Sequence, residues 1–136
     1  MAKLYFFYGA MNSGKTTRIL QCAYNYQEQG MNAIIMKPQV DTKGNEFIVS
    51  RIGAKRKVDF LIPTNANIYD IIVEQYTNVD LFIVDEAQFL SEKQVNQLMD
   101  VVIDLNIPVM CYGLRTDFKS NGFPGARRLL EIAHEV

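Results

Sequence analysis

Eight residues near the start of the chain match the pattern G-x-x-x-x-G-K-[ST], which is typical of loops that bind phosphate. They run from Gly9 to Thr16. Backbone N–H groups in such a loop, together with the N-terminus of the next helix, surround the phosphate oxygens. Lys15 would reach the β- and γ-phosphates, and the Thr16 hydroxyl would ligate Mg²⁺. An apolar run before the loop and a helical pattern after it favour phosphate binding over the competing interpretation, a Gly-rich turn with a surface lysine.

Two adjacent acidic residues form a second group that could take part in catalysis. Asp85 and Glu86 directly follow an apolar run over residues 81–84, and the carboxyl end of a parallel strand lies beside a phosphate loop. Asp85 is therefore predicted to be an outer ligand of Mg²⁺, through water. Glu86 could take a proton from the group that attacks the γ-phosphorus. An attacking water would indicate an NTPase and an attacking hydroxyl a kinase, while a solvated glutamate at a strand end is the third interpretation.

Strand-like and helix-like segments alternate along the chain, and they must bring these groups to one edge of a sheet. Strands are predicted at residues 4–8, 33–37, 47–50, 58–62, 81–84 and 109–112. Helices are predicted at residues 15–29, 68–76 and 125–135, and residues 114–124 are expected to form a loop. Another helix is expected after Ser91, which forms a capping box with Gln94. Apolar strands separated by helices favour an α/β fold with a parallel sheet covered on both faces.

The composition is that of an ordinary globular domain. The 136 residues are 49% hydrophobic and 21% charged, so residues 1–136 are expected to form one domain with its own core. The formal net charge of −1 argues against nucleic acid as a partner, because nucleic-acid binding usually shows as a basic excess. The N-terminus lacks a signal-peptide pattern and no segment is long enough to span a bilayer, so a cytoplasmic location without a membrane partner is expected.

Residues that could hold a resident metal ion are few. Cys22 and Cys111 are the two cysteines, and His134 is the single histidine. The cysteines lack C-x-x-C spacing, so no zinc site is predicted from these residues. Both cysteines are expected to be buried, reduced thiols.

Several motifs together resemble one enzyme family. They are residues 9–17, Lys37-Pro38 followed by Asp41, and residues 49–53, 85–89 and 112–118. In this order and spacing they resemble the cellular, tetrameric type of thymidine kinase, from residue 3 to the end of the chain. The resemblance implies a P-loop NTPase fold of the RecA-like type, ATP and Mg²⁺ as cofactors, and a homotetramer. It also implies transfer of the γ-phosphoryl group to the 5′-hydroxyl of thymidine or deoxyuridine, in nucleotide salvage.

The resemblance also implies roles for individual positions, with Glu86 matching the general base that acts on the 5′-hydroxyl. The implied nucleotide-binding and Mg²⁺-binding positions are Gly9, Met11, Asn12, Ser13, Gly14, Lys15, Thr16, Thr17, Asp85 and Gln88. The implied lining of the base pocket is Met11, Phe89, Leu114, Phe118 and Phe123. Flat and apolar walls suit thymine. Ordinary core packing is the competing interpretation for the phenylalanines, and gap filling for Met11.

Two further positions are implied to lie near the sugar and the phosphates. Asp41 matches an acidic residue of the family. Family members usually carry an arginine two residues later, where this chain has Lys43, which keeps the charge but lacks the planar fork. Arg51 could supply a second cation.

Family members continue past the point where this sequence stops. They add another parallel strand, a zinc ribbon and a lasso loop that closes over the base. We therefore expect this chain to be a fragment, a truncated form or a natural short form, with zinc bound only by the missing part. It is expected to bind ATP·Mg²⁺ but to phosphorylate thymidine poorly, because polar groups of the base would face water. A missing strand would also leave a sheet edge exposed. A RecA-like NTPase and an inactive ATP-binding module are the alternatives.

Overall fold

The computed structural model describes residues 1–9, 15–39, 47–49, 53, 55–114 and 124–135. Its strands are β1 (Leu4–Gly9), β2 (Ala33–Pro38), β3 (Phe47–Val49), β4 (Lys55–Lys57), β5 (Phe60–Ile62), β6 (Leu81–Val84) and β7 (Val109–Leu114). Its helices are α1 (Lys15–Glu28), α2 (Ile68–Gln75), α3 (Glu92–Leu105) and α4 (Pro124–Ile132), and a 3₁₀ turn covers Ala87–Phe89. None of the helices in these ranges is long and apolar enough to cross a membrane.

The main sheet is parallel and places its strand ends at a common edge. In the described part of the chain its strand order is β1-β7-β6-β2-β5, and every pair of neighbours is parallel. The carboxyl ends of β1, β2 and β6 therefore meet at the same edge, which is where ligands bind in open α/β sheets. The predicted α/β class with a parallel sheet is confirmed.

Helices cover both faces of this sheet, as predicted. Alternate side chains of a strand point to opposite faces, so Ile35 and Ile83 pack with Ile19 of α1, whereas Met36 and Val84 pack on the other side. The second cluster includes buried residues of three helices: Ile68 and Ile72 of α2, Val95 and Leu98 of α3, and Ala126 and Leu129 of α4. Each face of the strands thus has its own apolar core.

The structure confirms the predicted capping box at the start of α3, and a glycine follows the end of α1. The side chain of Ser91 accepts a hydrogen bond from the backbone N–H of Gln94 at 3.1 Å, and the Gln94 side chain accepts one from the Ser91 N–H at 3.1 Å. This is the predicted capping box at the start of α3. Gly30, with φ 73°, follows the end of α1, in the left-handed conformation that commonly terminates helices.

A small antiparallel ribbon departs from the sequence prediction. Residues 55–57 were not predicted to be a strand, yet they form β4 and pair with β3 in a separate two-stranded sheet. The run Lys-Arg-Lys has low strand propensity, so its conformation depends on pairing with Phe47–Val49 rather than on a local signal. The strand predicted at 58–62 is shorter than expected and starts at Phe60.

The C-terminal part also corrects two predictions. Leu114 was expected to begin a loop, but it is the last residue of β7 and pairs with Gly9. The helix predicted to reach residue 135 ends at Ile132, because the next residues bond to β1 instead. The backbone N–H of His134 donates to the Leu4 carbonyl at 2.8 Å, and the Phe6 N–H donates to the Glu135 carbonyl at 2.9 Å. Part of the outer side of β1 is therefore paired.

The 3₁₀ turn is held between two glycines. A Cβ at Gly113 of β7 would lie 2.8 Å from the side-chain oxygen of Gln88. A Cβ at Gly125 of α4 would overlap the carbonyl oxygen of Leu90 and lie 2.9 Å from that of Ala87. The close approach of α4 to the backbone of this turn thus requires glycine at position 125.

We expect Gly125→Ala to lower the free energy of unfolding by about 1–3 kcal/mol, because the added methyl group would push α4 away from the 3₁₀ turn. Urea unfolding followed by circular dichroism measures the change. The exposed neighbour Arg127 supplies the control, since Arg127→Ala should alter stability by less than about 0.5 kcal/mol. Equal stability of Gly125→Ala and the unmodified protein would contradict this close packing.

Candidate active site

Register and strand alternation place three charged side chains on one face at the carboxyl edge. The Asp85 N–H donates to the Met36 carbonyl at 2.9 Å, so Asp85 follows β6 at the level where Lys37 stands in β2. Lys37 lies two positions after Ile35, and Asp85 lies two positions after Ile83. Since both isoleucines pack with α1, Lys37 and Asp85 lie on the face of the sheet that α1 covers. Lys15, the first residue of α1, lies on the same side.

Lys15 and Asp85 form a close, largely buried ion pair. The Lys15 Nζ lies 2.9 Å from Oδ1 of Asp85, and the same oxygen accepts the backbone N–H of Glu86 at 2.8 Å. Asp85 is 4% exposed, so its charge requires such partners. The two groups that the sequence assigned to the phosphates and to Mg²⁺ are therefore adjacent.

Glu86 leaves the strand in an unusual backbone conformation. Its φ and ψ are 52° and 41°, in the left-handed region, which costs a non-glycine residue about 1 kcal/mol. The conformation turns the chain from β6 into the 3₁₀ turn. The Glu86 side chain is 29% exposed, and its Oε2 lies 3.8 Å from Nζ of Lys37. A fully solvated glutamate, one of the interpretations of the sequence, does not describe this side chain.

Lys37 was part of a sequence motif but was not predicted to belong to the site. It is 8% exposed, and its Nζ donates to the carbonyl oxygen of Phe47, in β3, at 3.2 Å. The signal that could have identified it is its position: a lysine in an otherwise apolar strand, one residue before Pro38, at the edge where parallel strands bind ligands.

The oxygen donors at this edge fit Mg²⁺ that arrives with a nucleotide. The described residues contain no group of three or more His, Cys, Asp and Glu side chains that could hold a metal ion. Mg²⁺ usually needs one or two protein oxygens, because substrate phosphates and water complete its shell. The Asp85 carboxylate and the hydroxyl of Thr16, in the first turn of α1, are donors of that kind.

The 3₁₀ turn places two more predicted residues beside this edge. Gln88 is buried, whereas Phe89 is 44% exposed, so core packing does not explain Phe89. Both line a cleft of about 240 Å³ together with Pro38, Gln39 and residues 62–65. Phe89 thus presents an aromatic surface to a cleft at the carboxyl edge.

The remaining predicted positions differ in how far the structure describes them. Gly9 ends β1, Leu114 pairs with it at the end of β7, and Thr17 is exposed in α1. The positions that lie outside the described residues are Met11, Asn12, Ser13, Gly14, Asp41, Lys43, Arg51, Phe118 and Phe123.

The thiols are poor nucleophiles in this structure. Burial raises the pKa of the Cys111 thiol, and partial burial does the same for Cys22. The expected burial is confirmed for Cys111, whereas Cys22 is only partly buried. Burial, as the main cause, also raises the pKa of Tyr112 to about 12. These three groups stay protonated at neutral pH, so none of them is a good candidate for a general base.

Comparison with known proteins identifies the family. A family model described as thymidine kinase matches residues 2–136. A thymidine kinase of Rhodopirellula baltica is 48% identical over 137 residues, covering 98% of this chain and 64% of the relative. One of Haemophilus influenzae is 47% identical over 139 residues, covering 100% of this chain and 72% of the relative. One of Zymomonas mobilis is 44% identical, with the same two coverages.

The chain therefore spans about two thirds of the length of these relatives. The match extends over the motifs at residues 9–17, 37–41, 49–53, 85–89 and 112–118 that suggested the resemblance. With a P-loop-like parallel sheet and a family model that covers nearly every residue, the chain belongs to the thymidine kinase family.

Proposed function

We propose that this protein transfers the γ-phosphoryl group of ATP to the 5′-hydroxyl of thymidine or deoxyuridine. The observation that carries the proposal is the Lys15–Asp85 ion pair of 2.9 Å, directly followed by Glu86, at the carboxyl edge of the sheet. Membership of the thymidine kinase family supports thymidine as the acceptor.

The proposed roles follow from the charges at this edge. Lys15 would exchange the Asp85 carboxylate for the β- and γ-phosphate oxygens of ATP. Mg²⁺, held by the Thr16 hydroxyl and the Asp85 carboxylate, would neutralise the charge that develops on the phosphates. Thr16 lies at the start of α1 and Asp85 directly follows β6, so the sheet and one helix fix the spacing between them.

Glu86 is proposed to act as the general base. Its carboxylate would accept the proton of the 5′-hydroxyl while that oxygen forms a bond to the γ-phosphorus. The bond between the γ-phosphorus and the bridging oxygen would break, and ADP would leave with the electron pair. Partial burial of the Glu86 side chain supports this role, because limited access of water favours transfer over hydrolysis.

Purified protein incubated with γ-³²P-ATP, Mg²⁺ and thymidine tests the proposal directly. We expect the label in thymidine 5′-monophosphate. Label released as inorganic phosphate without any labelled nucleotide would instead support a RecA-like NTPase, and ATP binding without turnover on any nucleoside would support an inactive module. The names of the relatives do not favour either alternative.

Phe89 is proposed to contact the base, so Phe89→Ala should raise the KM for thymidine about fivefold or more, because stacking on an aromatic ring contributes about 1–3 kcal/mol. Its melting temperature should change little, since Phe89 is already 44% exposed. Steady-state kinetics at saturating ATP measures the effect. Tyr24 of α1, which is 57% exposed, provides the control, and Tyr24→Ala should leave this KM unchanged. An unchanged KM in Phe89→Ala would exclude the base contact.

A cytoplasmic location and a homotetramer are further proposals that rest on the family. Light scattering coupled to size-exclusion chromatography measures the assembly, and a mass of one chain at micromolar concentration would contradict the tetramer.

A further inference from the structure

We propose that Lys37 is a positioning residue, whose buried ammonium group holds the carboxylate of Glu86 in the orientation that accepts the 5′-hydroxyl proton. The proposal rests on the proposed function, in which Glu86 is the base. It concerns a residue that the phosphate-loop motif and the Asp85-Glu86 motif do not include.

The burial of Lys37 calls for a specific role. Lysine is rarely this buried, because its charge loses hydration unless it finds partners. Lys37 is 8% exposed. In the described part of the chain, two oxygen partners are within reach of its Nζ: the Phe47 carbonyl at 3.2 Å and Oε2 of Glu86 at 3.8 Å. The carbonyl fixes the ammonium from one side, and the carboxylate is the charge that balances it.

Glu86 needs such a partner to have one orientation. Its left-handed backbone, with φ 52°, sets the direction in which the side chain leaves the chain. The carboxylate itself is partly exposed, and a glutamate has several rotamers available at such a site. A cation fixed by the backbone of β3 favours the rotamers that keep the carboxylate close to it.

Lys37 is placed to act on the base rather than on the phosphates. Lys15 already pairs with Asp85, and Lys37 pairs with Glu86, so among the described residues the two lysines pair with different carboxylates. Removal of the Lys37 charge is therefore expected to lower kcat and to leave ATP affinity nearly unchanged, which is the pattern for an interaction made in the transition state.

A double-mutant cycle tests this coupling. Lys37→Met keeps the length and most of the volume of the side chain without its charge. We expect kcat to fall about 10- to 100-fold, which is less than the about 10²- to 10⁴-fold that proton transfer itself contributes, because Glu86 remains present. The KM for ATP should change less than about threefold. In the Glu86→Gln background the same substitution should change kcat less than about twofold. Lys37→Arg, which retains the cation, should recover part of the loss.

The control removes an equal charge from an exposed position. Lys57 belongs to β4 and is exposed, so Lys57→Met reports the general effect of one lost cation near the ribbon and should leave kcat unchanged. Circular dichroism verifies that Lys37→Met is folded. If it is not, Lys37→Gln replaces it in the same cycle.

If Glu86→Gln has lost transfer, two results would overturn the role of Lys37 and leave the role of Glu86 as the base intact. One is a kcat of the Lys37 variant within about threefold of the unmodified protein. The other is an equal loss on removal of Lys37 in both backgrounds, which would show that Lys37 acts independently of Glu86. If Glu86→Gln itself retains full transfer, the base assignment in the proposed function fails, and the role of Lys37 fails with it.

Discussion

Glu86→Gln is expected to bind ATP and thymidine with nearly unchanged affinity and to lose phosphoryl transfer by about 10²- to 10⁴-fold. The amide keeps the size and the polarity of the side chain but cannot accept the 5′-hydroxyl proton. Partial exposure of the Glu86 side chain leaves room for the amide, so the fold should persist. Isothermal titration measures the two affinities, and a coupled ADP-release assay with thymidine measures kcat.

Glu74 supplies a matched control for this substitution. It is an exposed glutamate of α2, and Glu74→Gln should transfer phosphate at the normal rate. Transfer by Glu86→Gln within about threefold of the control would remove Glu86 from the role of base. Loss of ATP binding in the variant would instead indicate that Glu86 contributes to the nucleotide site.

Lys15→Met is expected to have two separable consequences. ATP affinity should fall about 10- to 100-fold, because the variant loses charge-assisted hydrogen bonds to the phosphates. The free energy of unfolding at neutral pH should also fall, by about 1–3 kcal/mol, since the buried Asp85 carboxylate loses the cation at 2.9 Å. Titration with ATP and urea unfolding measure the two effects.

The double variant Lys15→Met/Asp85→Asn separates the two effects. Its stability should return toward that of the unmodified protein, because neither buried charge remains and the introduced amide oxygen can still accept the Glu86 N–H. Its ATP affinity should stay low. Lys3, an exposed lysine paired with Glu135, is the control, and Lys3→Met should change neither quantity. Normal ATP affinity in Lys15→Met would show that the lysine does not contact the phosphates.

The sequence predicted those parts of the fold that depend on local signals. The apolar run 81–84 predicted β6 with the same bounds as the structure, and Ser91 with Gln94 predicted the start of α3. Asp85 was placed correctly beside Lys15 because the carboxyl ends of parallel strands meet at one edge. Periodicity and capping are properties of neighbouring residues, so the sequence carries them directly.

Features that depend on distant partners could not be predicted in this way. The strand β4 forms because Phe47–Val49 lies beside it, and α4 ends early because His134 bonds to Leu4. Lys37 became a candidate through its contact with Phe47 and Glu86. Whether Phe89 was core or surface depended on how the 3₁₀ turn packs, which a hydrophobic residue type does not reveal.

If Glu86 is the base, as proposed, its left-handed conformation sets the stability of the fold against catalysis at this position. Glycine adopts φ near 52° without a steric penalty, and asparagine adopts it more readily than glutamate. Selection of variants for heat resistance alone should therefore enrich glycine or asparagine at position 86, as stabilising changes at strained functional residues often cost activity. Under the proposed role of Glu86, a thermostabilisation library of this protein should keep residue 86 unchanged, because the more stable variants it would otherwise recover are expected to lose phosphoryl transfer.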